Sequence, residues 1–120
     1  MSACLQDLKP ENVLLLEDGG VKVCDMGALV KVDATGIPVD AASFVGSFTP
    51  EYTAPEVLAG VSALSLRPAS VFALGAVARA LLGDKKASPA LASLLDAMTQ
   101  PLPFNRPSIH RVMQHAWFHQ

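Results

Sequence analysis

The spacing of apolar positions changes about halfway along the chain. In the first half, residues 13–16 form a short apolar run, residues 17–20 are Glu-Asp-Gly-Gly, and residues 21–24 alternate apolar and polar side chains. A short apolar run, a glycine-containing turn and a returning segment favour a β-hairpin with two buried strands. A further short strand is expected at residues 29–32, and the small, polar, unpatterned residues 33–48 predict a long surface loop.

The second half has the spacing of helices. Pro55 opens a short helix that runs through Leu58 and is stopped by Gly60, and Pro68 lies in the first turn of a long one. The long helix has apolar residues on nearly every side, which predicts a central position in the core; they are Val71, Phe72, Leu74, Val77, Ala78, Leu81 and Leu82.

Two more helices are expected after the long one. Ser88 is a helix cap followed by Pro89, and the last helix begins at Pro107 and Ser108. We expect Trp117 and Phe118 to seal the end of the core. Strands come first and helices follow, so the predicted fold class is α+β, mostly α-helical.

Composition narrows the classes of partner and compartment. The chain has 120 residues, 51% of them hydrophobic, and a net charge of −2, which gives no electrostatic reason to bind nucleic acid or an anionic membrane. The apolar-rich run at residues 69–82 is too short and too polar to span a bilayer. The two cysteines, Cys4 and Cys24, do not form a disulfide framework, so we expect a reducing compartment, cytoplasmic or nuclear.

Two acidic motifs carry the candidate chemistry. The first is Asp7-Leu8-Lys9-Pro10-Glu11-Asn12, and the second is Asp25-Met26-Gly27. An acid to orient a hydroxyl, a cation for phosphate, and an Asn with an Asp for magnesium suffice for phosphoryl transfer. The predicted hairpin between Asn12 and Asp25 would return the second acid beside the first motif. Loop capping by Asp and Asn is the alternative interpretation of these residues.

The order of these and later motifs resembles the C-terminal lobe of eukaryotic serine/threonine protein kinases. Residues 7–12 match the catalytic loop, residues 25–27 the magnesium motif, and residues 49–56 the Ala-Pro-Glu end of the activation segment. Residues 73–75, 105–108 and 115–118 match the lobe's later helices. The resemblance implies a partial kinase domain over residues 1–120, with the N-lobe absent, an activation segment at 25–56 and a helical subdomain at 57–120.

The resemblance also implies a role for each matching residue. Asp7 would accept the proton of the substrate hydroxyl, Lys9 would neutralise charge on the moving phosphoryl group, and Asn12 and Asp25 would hold Mg²⁺ on ATP. Leu14 would lie beneath the adenine ring, and Thr49 would select serine or threonine in a protein substrate. Glu56 and Arg106 would form a buried ion pair.

Several departures from the family pattern keep a second hypothesis open. Leu5-Gln6 stands where the family has His-Arg, Ser70 replaces the acid that begins the central helix, and only four residues separate Gly83 from Ser88. A catalytically inactive, kinase-like module that binds a protein partner is therefore the alternative to a partial enzyme. In either case the isolated chain is expected to have negligible kinase activity, because half of the ATP site is not in it.

Overall fold

The computed structural model describes residues 2–5, 8–23, 29–39, 49–60 and 65–119. Within them, four short strands precede four α-helices, as the α+β, mostly helical prediction requires. The strands form two antiparallel pairs, Ser2–Leu5 (β1) with Leu29–Val32 (β4), and Val13–Leu15 (β2) with Val21–Val23 (β3). The predicted fold class is thereby confirmed.

The predicted hairpin is confirmed, but its predicted burial is wrong. The Leu16 carbonyl accepts the Gly19 N–H at 3.0 Å, and Gly19 adopts a φ of 87° that the turn requires. However, Leu15 is 83% exposed, and Leu14, Val21 and Val23 are also exposed. A continuous apolar run indicates that burying the strand would be favourable, but burial also requires another element to pack on it.

The first part of the predicted surface loop is a tight, anchored turn. Val32 is fully buried and forms a β-bridge with Pro38. The Asp33 N–H donates a hydrogen bond to the Ile37 carbonyl at 2.8 Å. The Thr35 hydroxyl and then the Ile37 N–H donate to the Asp33 carboxylate and hold the pKa of Asp33 below its usual value. The rest of the predicted loop, residues 40–48, lies outside the described residues.

This turn is fastened to the helical half through Gly36. Its carbonyl accepts the Leu66 N–H at 2.8 Å, at the N-terminus of the long helix Arg67–Leu82 (α2). Gly36 is buried with a φ of +88°, and a Cβ there would lie 3.1 Å from Arg67 Cγ and would collide with the Ser65 hydroxyl.

We expect Gly36→Ala to lower the free energy of unfolding by about 1–3 kcal/mol, from positive-φ strain and crowding against α2. Urea unfolding followed by circular dichroism would measure it. Gly19→Ala is the matched control, because Gly19 has a φ of +87° but nothing within 4 Å of an added Cβ. Equal losses in the two variants would show that the contact with α2 contributes nothing.

The long helix packs less completely than its composition suggests. Val71, Ala73 and Val77 are buried, whereas Leu74 is 39% and Leu81 is 59% exposed. It nevertheless contacts more of the described elements than any other helix, including the next helix, Pro89–Met98 (α3). The short helix Pro55–Leu58 (α1) was predicted at these bounds. None of the described helices is long and apolar enough to cross a membrane.

The core lies between α2, α3 and the last α-helix, Ile109–Met113 (α4). Four of the buried apolar side chains form one cluster there, which are Val71, Leu94, Met98 and Val112. The predicted Ser88 cap is confirmed, because its hydroxyl accepts the Leu91 N–H, and the Ser108 hydroxyl caps the last helix in the same way by accepting the Arg111 N–H. Both caps are local signals that need no tertiary information.

The prediction that Trp117 and Phe118 seal the core is wrong. The two rings pack on each other edge to face, with centroids 4.8 Å apart, in the 3₁₀ helix Ala116–His119. They are 37% and 51% exposed. The edge-to-face arrangement is one that aromatic pairs prefer, so the two rings contact each other while both remain partly exposed.

Candidate functional site

The described part of the first acidic motif is a single 3₁₀ turn, Pro10–Asn12. Pro10 fixes the first position of the turn, and the Asn12 N–H donates to the Lys9 carbonyl at 3.0 Å. Lys9 has an extended backbone, Asn12 is half-buried, and Glu11 is exposed. Asp7, the predicted acceptor of the hydroxyl proton, lies outside the described residues.

The hairpin begins directly after Asn12. Because Val13 pairs with Val23, the chain enters β2 and leaves β3 at the same end of the hairpin. Asp25, two residues beyond β3, lies outside the described residues, so its position beside Asn12 stays a prediction. Leu14, the predicted floor of the adenine site, pairs with Lys22 and is 49% exposed, so its side chain is accessible.

Thr49 begins a second 3₁₀ turn, Pro50–Tyr52, just before α1. Its carbonyl accepts the Tyr52 N–H at 3.0 Å and the Thr53 hydroxyl at 2.7 Å. Burial, followed by the charge of Glu51, raises the pKa of Tyr52. The expected role of Thr49 in selecting serine or threonine in a protein substrate stays a prediction.

Glu56 and Arg106 lie fifty positions apart and meet in a bidentate ion pair. The Arg106 Nη1 is 2.7 Å from Glu56 Oε2, and Nη2 is 2.8 Å from Oε1. The Arg106 side chain is fully buried and that of Glu56 is 9% exposed. The pair ties α1 to the segment between α3 and α4, which is a structural role and not a chemical one.

Arg106 uses every donor that a guanidinium has. Nε donates to the Gln100 carbonyl at 2.8 Å, Nη1 also donates to Pro68, and Nη2 also donates to Pro101. The guanidinium carbon lies 4.9 Å from the centre of the Phe72 ring. The three carbonyls and the ring were not anticipated from the sequence, because no local pattern shows which backbone oxygens a distant side chain will reach.

Ser70 takes the place of an acid and makes a purely local contact. Its hydroxyl donates to the Leu66 carbonyl at 3.0 Å, one turn earlier in α2. A serine that bonds back to its own helix satisfies itself without engaging another segment. At this position we find no charged group that could brace the turn containing Lys9 and Asn12.

The described residues contain no group of three His, Cys, Asp or Glu side chains placed to share a metal ion. The candidate magnesium ligands stay the predicted pair, Asn12 and Asp25, of which Asp25 lies outside the described residues. A carboxamide oxygen and a carboxylate are hard donors of the kind that Mg²⁺ takes together with phosphate oxygens and water. The donor set fits the ion chemically.

An open cavity of about 880 Å³ lies next to the ion pair, and Arg106 is one of its lining residues. Leu74, Phe104 and Ile109 are exposed apolar residues of its lining, and Arg67 and His110 are its exposed basic groups. Sequence reasoning missed it. The only signal was a set of large apolar residues at positions 102–113 that exceeds what one short helix can bury.

Comparison with known proteins decides the family. The protein kinase domain family matches residues 2–87, which is well over half of the chain. The chain belongs to the protein kinase family. The matched range contains the two acidic motifs and the segment from Thr49 to Glu56, so the resemblance seen in the motifs is confirmed at the level of the family.

Several serine/threonine kinases are similar to this kinase-family chain. CBL-interacting serine/threonine-protein kinase 20 of Arabidopsis thaliana is 29% identical over 94% of the chain and 30% of the relative. The carbon catabolite-derepressing protein kinase of Saccharomyces cerevisiae is 31% identical over 94% of the chain and 21% of its own length. Serine/threonine-protein kinase PKH3 of Eremothecium gossypii is 30% identical over 98% of the chain and 20% of its own length. The chain thus spans between a fifth and a third of these relatives.

Proposed function

We propose that this chain is the catalytic-loop part of a serine/threonine protein kinase domain and that it transfers the γ-phosphate of ATP to a protein hydroxyl when an N-lobe completes it. The supporting observation is the family match, since residues 2–87 include Asp7, Lys9, Asn12 and Asp25 together. The hairpin register adds support, because it returns the end of β3 to the beginning of β2.

In this proposal each side chain performs one task. Asp7 orients the substrate hydroxyl and accepts its proton, and Lys9 neutralises charge on the phosphoryl group. Asn12 and Asp25 would hold Mg²⁺, which supplies charge stabilisation on the ATP phosphates when it is bound. Leu14 contributes an apolar surface for the adenine, and Thr49 contacts the hydroxyl-bearing residue of a protein substrate.

A catalytically inactive, protein-binding module is the second candidate, and Ser70 favours it. Where the family has an acid this chain has Ser70, whose hydroxyl donates to the Leu66 carbonyl at 3.0 Å, so this position offers no carboxylate to the catalytic loop. Catalysis of phosphoryl transfer depends mostly on positioning and electrostatics, and the loss of this carboxylate removes one contribution to both.

A chimaera separates the two candidates. The matching segment of the S. cerevisiae relative would be replaced by this chain, and phosphate transfer from ATP to serine and threonine peptides would be measured. We expect transfer that falls about 10²- to 10⁴-fold in the Asp7→Asn variant, the range for loss of a general base.

If no phosphate transfer is seen, a second measurement is needed to distinguish the enzyme from the inactive module. Thermal shift with ATP, in magnesium and in EDTA, would report nucleotide binding by the same chimaera. A folded chimaera without transfer, whose melting temperature ATP does not raise in magnesium, would contradict the enzyme proposal and support the inactive module. The Lys85→Ala variant is the control, because Lys85 is an exposed residue shortly after α2 with no role in the proposed chemistry.

A further inference from the structure

Charge is distributed very unevenly between the two halves of this chain. Residues 1–64 contain three lysines, no arginine and nine acidic residues, whereas residues 65–120 contain six Lys and Arg and only two acidic residues. The formal charges are therefore −6 and +4. Opposite net charge on two parts of the same chain favours encounter between the acidic part of one copy and the basic part of another.

The acidic half exposes an apolar surface on its hairpin. The register pairs Val13 with Val23 and Leu15 with Val21, so these four side chains share one face. Leu15, Val21 and Val23 are 83%, 58% and 44% exposed. The exposed carboxylates of Glu17 and Asp18 border them at the turn. We name these six residues the hairpin face.

The basic half exposes an apolar surface of complementary character. Phe104 is 88%, Ile109 49% and Leu74 39% exposed, and all three line the cavity of about 880 Å³. Arg67 and His110 are its exposed basic groups, and no carboxylate is among its described lining residues. We name this cavity the C-terminal groove. Contiguous exposed apolar groups with charged edges are typical of surfaces that bind another protein.

We propose that the C-terminal groove of one copy of this chain receives the hairpin face of a second copy. Leu15 and Val21 would enter among Leu74, Phe104 and Ile109, while the carboxylates at the turn approach Arg67 and His110. The two surfaces are different, so each contact leaves one hairpin face and one groove free, and assembly continues beyond the dimer. This inference does not rest on kinase activity.

Sedimentation velocity of the full chain over a range of concentrations tests the proposal. The average sedimentation coefficient is expected to rise with concentration through species larger than a dimer. Raising salt from about 50 mM to about 500 mM should weaken assembly, since screening removes the charge attraction. A chain that stays monomeric throughout overturns the proposal and leaves the groove to a different partner.

Two variants and their mixture make the test specific. Leu15→Glu disables the hairpin face and Phe104→Glu disables the groove, and both positions are exposed enough to leave the fold intact, which circular dichroism would verify. Each variant alone is expected to be at least about tenfold weaker in self-association, the loss typical of a central interface residue. Mixed in equal amounts they should form a heterodimer and stop there, because only one intact pair of surfaces remains.

Leu81→Glu is the matched control. Leu81 is 59% exposed on α2 and is not among the lining residues of the groove. This variant should assemble like the unaltered chain. If it loses self-association as the other two do, or if the mixture of Leu15→Glu and Phe104→Glu stays monomeric, association is non-specific and the proposal is wrong.

Discussion

Arg106→Met is expected to lower the free energy of unfolding by about 3–5 kcal/mol, the cost of leaving a buried partner charge unpaired. Methionine has nearly the length of arginine but carries no donor. The Glu56 carboxylate, only 9% exposed, would lose both of its bonds to Arg106, and the carbonyls of Pro68, Gln100 and Pro101 would lose theirs. Urea unfolding followed by circular dichroism measures the change.

Two companion variants assign the loss to its cause. Arg106→Lys keeps the charge but offers three donors in place of five, so we expect an intermediate loss. The double variant Glu56→Gln, Arg106→Met should be more stable than Arg106→Met, because no buried charge is then left alone. If Arg106→Met costs less than about 1 kcal/mol, the pair behaves like an exposed surface salt bridge and does not hold α1 to the helices.

The ion pair shows which kind of information in the sequence was sufficient. Nothing in the local pattern joins two residues fifty positions apart, and the pairing was expected only from the order of the motifs. The contacts of Arg106 with Phe72 and three carbonyls could not be predicted from the sequence, because they depend on how α2 and the segment after α3 pack together. Caps such as Ser88 were predictable, since a cap and its N–H partner lie within one turn.

The errors in the prediction have a common physical origin. Residues 13–16 are apolar enough for a core, yet Leu15 is almost fully exposed, because hydrophobicity does not determine whether another element covers a strand. Residues 33–39 have loop composition, yet they form a fixed turn because the Gly36 carbonyl meets the Leu66 N–H of a distant helix. In both cases the outcome depends on tertiary contacts: no described element covers Leu15, whereas α2 holds the turn at residues 33–39. The local sequence pattern carries no information about such contacts.

The candidate site divides along the same line. Residue types and spacing lead to Asp7, Lys9, Asn12 and Asp25 as candidates, because phosphoryl transfer needs few kinds of group, and their roles stay predictions. The consequence of Ser70 required the structure, which shows its hydroxyl bonded back to Leu66. The sequence could identify a missing acid, but only the coordinates reveal that the replacement turns inward to its own helix.

Leu94→Ala is expected to lower the free energy of unfolding by about 2–5 kcal/mol, the range for truncating a buried leucine. Leu94 is 3% exposed and packs in the cluster with Val71, Met98 and Val112, which joins α2, α3 and α4. Since domains of this size are stable by only about 5–15 kcal/mol, this single change would remove a large fraction of the total. Thermal and urea unfolding of the full chain would measure it.

Leu81→Ala is the control for this prediction, because it removes the same atoms from a side chain that is 59% exposed. It should cost no more than about 0.5 kcal/mol, as for other surface positions. Comparable losses in the two variants would mean that the helices are not organised around the cluster. A large loss for Leu94→Ala alone would establish that this cluster, and not the exposed hairpin, supplies the cooperative core on which both the ion pair and the groove depend.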